Sequence, residues 1–397
     1  MPIAERICPV TRLTEGHFHH FFGYYDKSPW DATGRYVLAM RVAFMHRPPT
    51  PEDIAVLGVV DTRQRNRWRP LAETVAWYWQ QGTMLQWLGS APDRLVIFNR
   101  RGKAGFGCTI LDVQTGEQRH LPRPIYAVDN RGMQAVSLNF SRVHRHRPGY
   151  GYVGVPDRWA DDFVPAEDGI YHMDLQSGQS RLIVSIARAV ATEHEESMDG
   201  CSHWFNHLQF NPSGTRFLFL HRWAKPDQPH RHTRMFTANP DGSDLLLLAR
   251  EGIVSHFDWR DDDHILAWSR HNGESHYHLY TDRGDCVEIV GGDVLDQDGH
   301  CSYSPDRRWI LTDTYPDRVE SKRTIILYHP ATNTRINVGR FYSAPQITGE
   351  IRCDLHPRWS RDGTCVCFDS IHEGARQMYL MDVSEIVKSR PEERFLP

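Results

Sequence analysis

"GHCSYSPDRRWILTDTY" at residues 299–315 reads as one complete building block. His300 stands three residues before an aromatic, Tyr303. A polar Ser-Pro-Asp turn follows, and then an apolar strand that ends in Asp313 and Tyr315. The block recurs as "NHLQFNPSG" (206–214) running into "TRFLFLHRW", as "SHFDWRDDD" (255–263) running into "HILAWSR", and as "LHPRWSRDG" (355–363) running into "GTCVCFDSIH". Earlier versions are "SPWDATGRYVLAMRV" and "LQWLGSAPDRLVIFNRR". A third strand with a closing turn follows in each case, as in "GCTILDVQTGEQRHL" and "TIILYHPATNTRINV". Phe210, Trp259, Tyr303 and Trp359 are spaced by 49, 44 and 56 residues, and Trp30 and Trp87 by 57. Strand-rich units of that period are the signature of a β-propeller.

Seven units can be counted, starting near Tyr25, Trp79, Met133, His203, Ser255, Gly299 and Asp354. The expectation is an all-β chain forming a single seven-bladed propeller over 1–397, with residues 1–24 packing on it or closing it. The third unit is degenerate: "QAVSLNFSRVHRHRPGYGY" carries a strand, but its turn is basic. Only "SIARAVATEHEE" (185–196) and "DVSEIVKSRPEE" (382–393) read as short helices. No Pro/Gly/Ser-rich linker divides the chain, which argues against separate β-sandwich domains.

Composition narrows the function. Of 397 residues, 40% are hydrophobic and 24% charged, as in a soluble globular protein, and the net charge is −4. That balance offers no global basic field for nucleic acid. No window approaches the roughly 18 apolar residues of a membrane span. "MPIAERICPVTRLTEG" lacks an apolar signal-peptide core. Eight cysteines without a Cys-x-x-Cys pair fit free thiols and a cytoplasmic location.

The first strand of a propeller blade lines the central channel. Its start meets the end of the second strand at one face. His207, His256, His300 and His356 are therefore expected to ring the channel mouth, with Lys27 and Met84 at that register in the first two blades. The second strands end in Arg41, Arg100 and Arg101, His221 and Arg222, Arg270, Asp313 and Tyr315, and Asp369 and His372. Arginines gathered at one pore of a net-acidic protein predict an anionic ligand. The competing structural reading is a packing histidine of the WD-repeat kind. It fits "GH" at 299–300 but not the other three histidines, and the Trp-Asp dipeptide is missing.

Neutral imidazole is the commonest ligand for Zn, Mn, Ni or Fe. Asp354 lies two residues before His356 and so points the same way along a strand, adding an oxygen ligand. A mixed nitrogen–oxygen set suits Mn or Zn. A metal or arginine clamp beside a free imidazole is also what β-elimination from a uronate requires. The clamp neutralises the carboxylate, a base removes the C5 proton, and a Tyr or water protonates the departing oxygen.

The units "FNPSGTRFLFL", "YSPDRRWILTD" and "WSRDGTCVCFDS" resemble the repeats of TolB-like propellers. "GHCSYSPDRRWILTDTYPD" and "CDLHPRWSRDGTCVCFDS" resemble the C-terminal blades of oligogalacturonate lyases. That resemblance implies a seven-bladed propeller lyase using a divalent metal, with Mn favoured over Zn or Ca, held by channel histidines and acting on short oligouronides in the cytoplasm. The metal set is expected to be His256, His300, Asp354 and His356. Where the family has a Gln and a second His, this chain has Ile351 and Asp354. "HFHHFFGYYDKSPW" has no counterpart there and points to a related uronate, such as glucuronate linked to rhamnose. His207 is expected to be the general base, being farthest in chain order from the His300–His356 pair and titrating near about 6.5. Arg222 is expected to bind the substrate carboxylate, and Tyr24 or Tyr25 to complete the catalytic set. Lys27, Arg41, Arg101, Arg270 and Tyr315 are expected to line the substrate. The partner is an acidic oligosaccharide, with no nucleic acid or membrane, and the protein a monomer or homodimer. A glycoside hydrolase on the same scaffold and a non-catalytic interaction propeller are the alternatives. The first needs two opposed carboxylates, for which Asp26, Asp313, Asp354 and Asp369 are available; the second needs an apolar mouth.

Overall fold

A computed structural model describes residues 3–226 and 231–389. The tail of the second expected helix, 390–393, lies outside the described residues.

Seven antiparallel sheets follow one another along the chain and form a seven-bladed β-propeller. Their innermost strands are His19–Phe21, Gln86–Trp87, Ala127–Val128, Ser202–Phe210, Val254–Trp259, Ser302–Tyr303 and Arg358–Trp359. The chain's start joins its end. Val10–Arg12 forms the outer strand of the seventh sheet, antiparallel to Gln377–Asp382, and Ile3–Glu5 adds a fifth, parallel strand to the sixth. Among the described residues, no helix is long and apolar enough to cross a membrane.

The repeated aromatic ties blade to blade. The indole N–H groups of Trp87, Trp259 and Trp359 donate to carbonyls of the preceding blade: Pro29 in the segment that follows the first inner strand, and Gln209 and Ser302 on inner strands. Arg361 reaches the Trp30 carbonyl and closes the ring between the last blade and the first. The polar turns recur because Asp or Asn at their start caps its own loop. Asn211 accepts from the Thr215 and Arg216 amides, and Asp31 from those of Arg35 and Tyr36.

Just at the histidine register the inner strands break. His207 and His356 have φ of 51° and 42°, and Met84, at the matching place in the second blade, 55°. The ladder slips between Asn206 and Gln209 and between Val254 and Phe257. A side chain at positive φ is costly, and such bulges re-aim side chains beside functional sites. Here they tip the imidazoles into the channel.

The third blade departs most from the repeat. A helix, Phe140–His146, interrupts it between Gln134–Ser137 and Gly169–Asp174, where the sequence suggested only strand and basic turn. Asn139 caps this helix by accepting from the Arg142 amide. Buried Arg142 then pins the insertion by donating to the carbonyls of Trp159, Asp162, Phe163 and His203. The residues just after the helix are thereby delivered to the channel mouth.

Candidate active site

Two histidines are set by carboxylates. The Nδ1 of His300 lies 2.8 and 3.0 Å from the two Asp313 oxygens, and that of His256 lies 2.8 Å from Asp298. Donation from Nδ1–H fixes the tautomer and leaves each Nε2 with a lone pair, the usual arrangement behind a metal-ligating imidazole. The rings of His256 and His300 are 4.1 Å apart, and those of His300 and His356 4.4 Å. The Nε2 atoms of His300 and His356 are buried with no hydrogen-bond partner among the described residues.

Asp354 completes the cluster. Its oxygens lie 2.8 Å from Arg323 and 2.8 Å from Arg352, and 3.9 Å separates it from His356 Nε2. Burial would raise this carboxyl, but Arg352 and Arg323 hold it well below the usual carboxylate range. One donor atom each from His300, Asp354 and His356 lies within 4.8 Å of the others. Two orphaned imidazole nitrogens facing an ionised carboxylate fit a divalent cation, and two nitrogens with an oxygen suit Mn or Zn. Burial lowers the His300 ring, but Asp313 outweighs it and the net shift is upward. His256 and His356 are lowered chiefly by burial.

Beside this cluster stands His207, stacked on Tyr24 at 4.9 Å. Its Nδ1 is flanked by the Gln81 amide at 3.2 Å and the Tyr126 hydroxyl at 3.1 Å. Burial, then Arg222 and Arg147, push the ring well below its ordinary value. It is thus neutral far below the pH of about 6.5 expected of a free imidazole. Arg222 is buried, and its Nε and Nη1 find no partner among the described residues.

Tyr24 touches His207, His300 and His356, and burial raises its hydroxyl well above the ordinary range. Tyr25 packs on His256 and His300, but its hydroxyl is committed to the backbone: it donates to the Phe257 carbonyl (2.8 Å) and accepts from the Phe257 amide (2.9 Å). Tyr315 caps the mouth, 6.3 Å from the His300 ring.

Four expected substrate residues have other surroundings. Lys27 pairs with Asp26 at 2.8 Å and lines a separate cavity with Gln86, Asp129 and Gln209. Arg41 lies over the rings of Phe18 and Trp68. Arg101 lines a side groove with Arg100 and Thr74, and Arg270 is exposed. The second strand lies one strand spacing, about 4.8 Å, farther from the axis than the first, so residues at its end need not reach the channel.

Arg147, Tyr150 and Arg352 belong to the site and were not singled out from sequence. Arg352 donates to the Tyr150 hydroxyl at 2.6 Å, and the Arg147 guanidinium lies 4.1 Å over the Tyr150 ring. The Tyr150 ring is 5.5 Å from that of His207. The signal was the basic, atypical turn "HRHRPGYGY" in the third unit.

No protein-family profile matches the sequence, and no curated protein matches it. Among solved structures, the chain is similar to an oligogalacturonate lyase in complex with manganese, with 15% identity over 96% of this chain and 95% of that one and a TM-score of 0.69. It is similar to the oligogalacturonate lyase of Vibrio parahaemolyticus at 14% identity, 95% and 94% coverage and a TM-score of 0.67. The β-propeller domain of the Trilobed protease from Pyrococcus furiosus also matches, at 10% identity, 92% and 96% coverage and a TM-score of 0.52. At these identities the likeness establishes the shared propeller fold.

Proposed function

We propose that this protein is a metal-dependent lyase that cleaves an oligosaccharide containing uronic acid by β-elimination. The observation that carries the reading is one buried cluster holding two kinds of unsatisfied group. The orphaned Nε2 atoms of His300 and His356 face Asp354, while the unpaired Nε and Nη1 of buried Arg222 lie in the same electrostatic neighbourhood as neutral His207. Lone pairs ask for a cation and guanidinium N–H groups for an anion. A uronate carboxylate brought in beside a divalent ion meets both.

His300, His356 and Asp354 would hold the ion, with His256 behind them. A divalent metal supplies charge neutralisation at the substrate carboxylate, which makes the C5 proton easier to remove. Arg222 binds that carboxylate through its free N–H groups. With the Gln81 amide turned to present its oxygen, the tautomer that carries its proton on Nδ1 is accepted by Gln81 and Tyr126, and His207 keeps its Nε2 lone pair for the C5 proton. The substrate is galacturonate-containing, or a glucuronate relative of it. The eight unpaired cysteines suit a reducing cytoplasm.

Hydrolysis is less well supported. The nominated carboxylates are already engaged: Asp26 by Lys27, Asp313 by His300, Asp354 by two arginines, and Asp369 by Arg358. A hydrolase needs an acid and a base that are free to act.

The test is metal analysis with His300→Ala and His356→Ala. The reading expects about one equivalent of divalent metal in the wild type and its loss, together with activity on acidic oligosaccharides, in both variants. Metal content unchanged in both would remove it.

A further inference from the structure

Resting on the lyase reading, the geometry points to Tyr150 as the proton donor to the departing glycosidic oxygen, acting from the same side of the sugar as His207. Three observations carry this. First, the Tyr150 oxygen accepts from Arg352 at 2.6 Å, while no acceptor among the described residues takes its proton. Tyr25, by contrast, has given its proton to the Phe257 carbonyl. Second, the anion left on Tyr150 after donation would rest between the guanidiniums of Arg352 and Arg147. Arg147 brings two more buried N–H groups, Nε and Nη1, that have no partner among the described residues. At Tyr24 burial dominates and holds the proton tightly, with Arg147 offsetting it only in part. Burial also raises the Tyr150 hydroxyl, but Arg147 and then Arg352 outweigh it and bring it down to about 7. Third, the Tyr150 and His207 rings meet edge-on, with centroids 5.5 Å apart and planes at 88°. A sugar ring sandwiched between two side chains needs about 7–8 Å, twice the ordinary carbon–carbon contact distance. The substrate therefore lies across both groups, not between them.

The step balances without a co-reactant. The C5–H bond breaks and its proton goes to His207 Nε2. Its electron pair becomes the C4=C5 double bond. The C4–O bond breaks, and its electron pair stays on the leaving oxygen, which takes the Tyr150 proton. The proton on His207 then returns to the Tyr150 phenolate through solvent.

Removal of the proton and the leaving oxygen from one face is a syn elimination, and this selects the substrate. A gluco-configured uronate, with its C4–O bond equatorial, presents C5–H and C4–O on the same face. A galacto-configured uronate, with that bond axial, presents them on opposite faces. The site is thus built for gluco-configured uronates linked through O4.

The experiment compares wild type and Tyr150→Phe on three substrates: a 4-linked glucuronate disaccharide, its galacturonate epimer, and the glucuronate carrying fluoride at C4. Fluoride departs without needing a proton from an acid. Wild type should prefer the glucuronate disaccharide to its epimer. Tyr150→Phe should lose about 10²–10⁴-fold in kcat on the disaccharide, the span of a lost general acid. It should lose less than about 10-fold on the fluoride, which also shows that the variant is folded and metal-loaded. Equal losses on both leaving groups, or a near-wild-type rate on the disaccharide, would overturn the donor role. Preference for the galacturonate epimer would overturn the same-face geometry. A wild type that eliminates none of the three overturns the lyase reading itself, and this assignment with it.

Discussion

Replacing Asp313 by Asn tests how the candidate metal centre is built. Asp313 and His300 are each only 1% exposed. One Asp313 oxygen accepts both the His300 backbone N–H and Nδ1–H, at 2.8 Å each; the other lies 3.0 Å from Nδ1. Asparagine keeps the first oxygen but places an NH₂ where the second stood. That NH₂ opposes Nδ1–H and favours the other tautomer, in which the proton moves to Nε2 and blocks it as a ligand. The lost negative charge also makes the ring a poorer donor. Changes of this kind behind a ligating histidine typically weaken metal binding 10–100-fold, which is about 1.4–2.7 kcal/mol. The assay is calorimetric titration of apo-protein with Mn or Zn at mildly alkaline pH, where protons compete little. Asp298→Asn, acting on His256 outside the tightest donor set, is the comparison and should cost less. An unchanged Kd in Asp313→Asn would refute the claim that His300 binds metal through Nε2.

Four further outcomes follow from the same geometry. His207→Ala should keep its metal and lose about 10²–10⁴-fold in rate; a metal-free variant would make His207 a ligand and pass the base role to His256. Because burial and two arginines lower the His207 pKa, the ring is already deprotonated at the pH where a free imidazole titrates. The wild-type rate should therefore show no base-side loss as pH falls from about 8 to about 6.5, and an ascending limb centred at or above about 6.5 would contradict this. Arg222→Lys should lose most activity with the fold intact, since a point ammonium cannot replace bidentate contact with a carboxylate, and near-wild-type kinetics would reject that role. Tyr25→Phe should lower stability by about 1–3 kcal/mol in denaturant melts, because it orphans the Phe257 amide and carbonyl; an unchanged midpoint would show that these groups find other partners.

The repeat made the propeller legible, because each blade must place an aromatic against its neighbour and cap the same turn. It also exposed His207, His256, His300 and His356, since one register in every blade faces the channel. The rest was hidden for physical reasons. Arg147 and Tyr150 follow an inserted helix that obeys no repeat, and Arg352 reaches Tyr150 across 202 residues of sequence. Position at the end of a second strand did not predict reach: Arg222 points inward, but Arg41 lies over Phe18 and Trp68, and Arg270 stays exposed. A pKa near that of free imidazole was the natural expectation for His207, and only the packed site shows what burial and arginine do to it. The turn that broke the pattern, "HRHRPGYGY", held more of the site than several turns that kept it.

Metal-dependent elimination can be read from a single reaction. Protein stripped of metal and then reloaded with Mn is incubated with 4-linked oligouronides, and products are followed by ultraviolet absorbance and by mass. Absorbance from a C4–C5 unsaturated uronate is expected only in the reloaded protein, with product masses that sum to that of the substrate. Cleavage that adds the mass of one water, or elimination at full rate in the stripped protein, would contradict it.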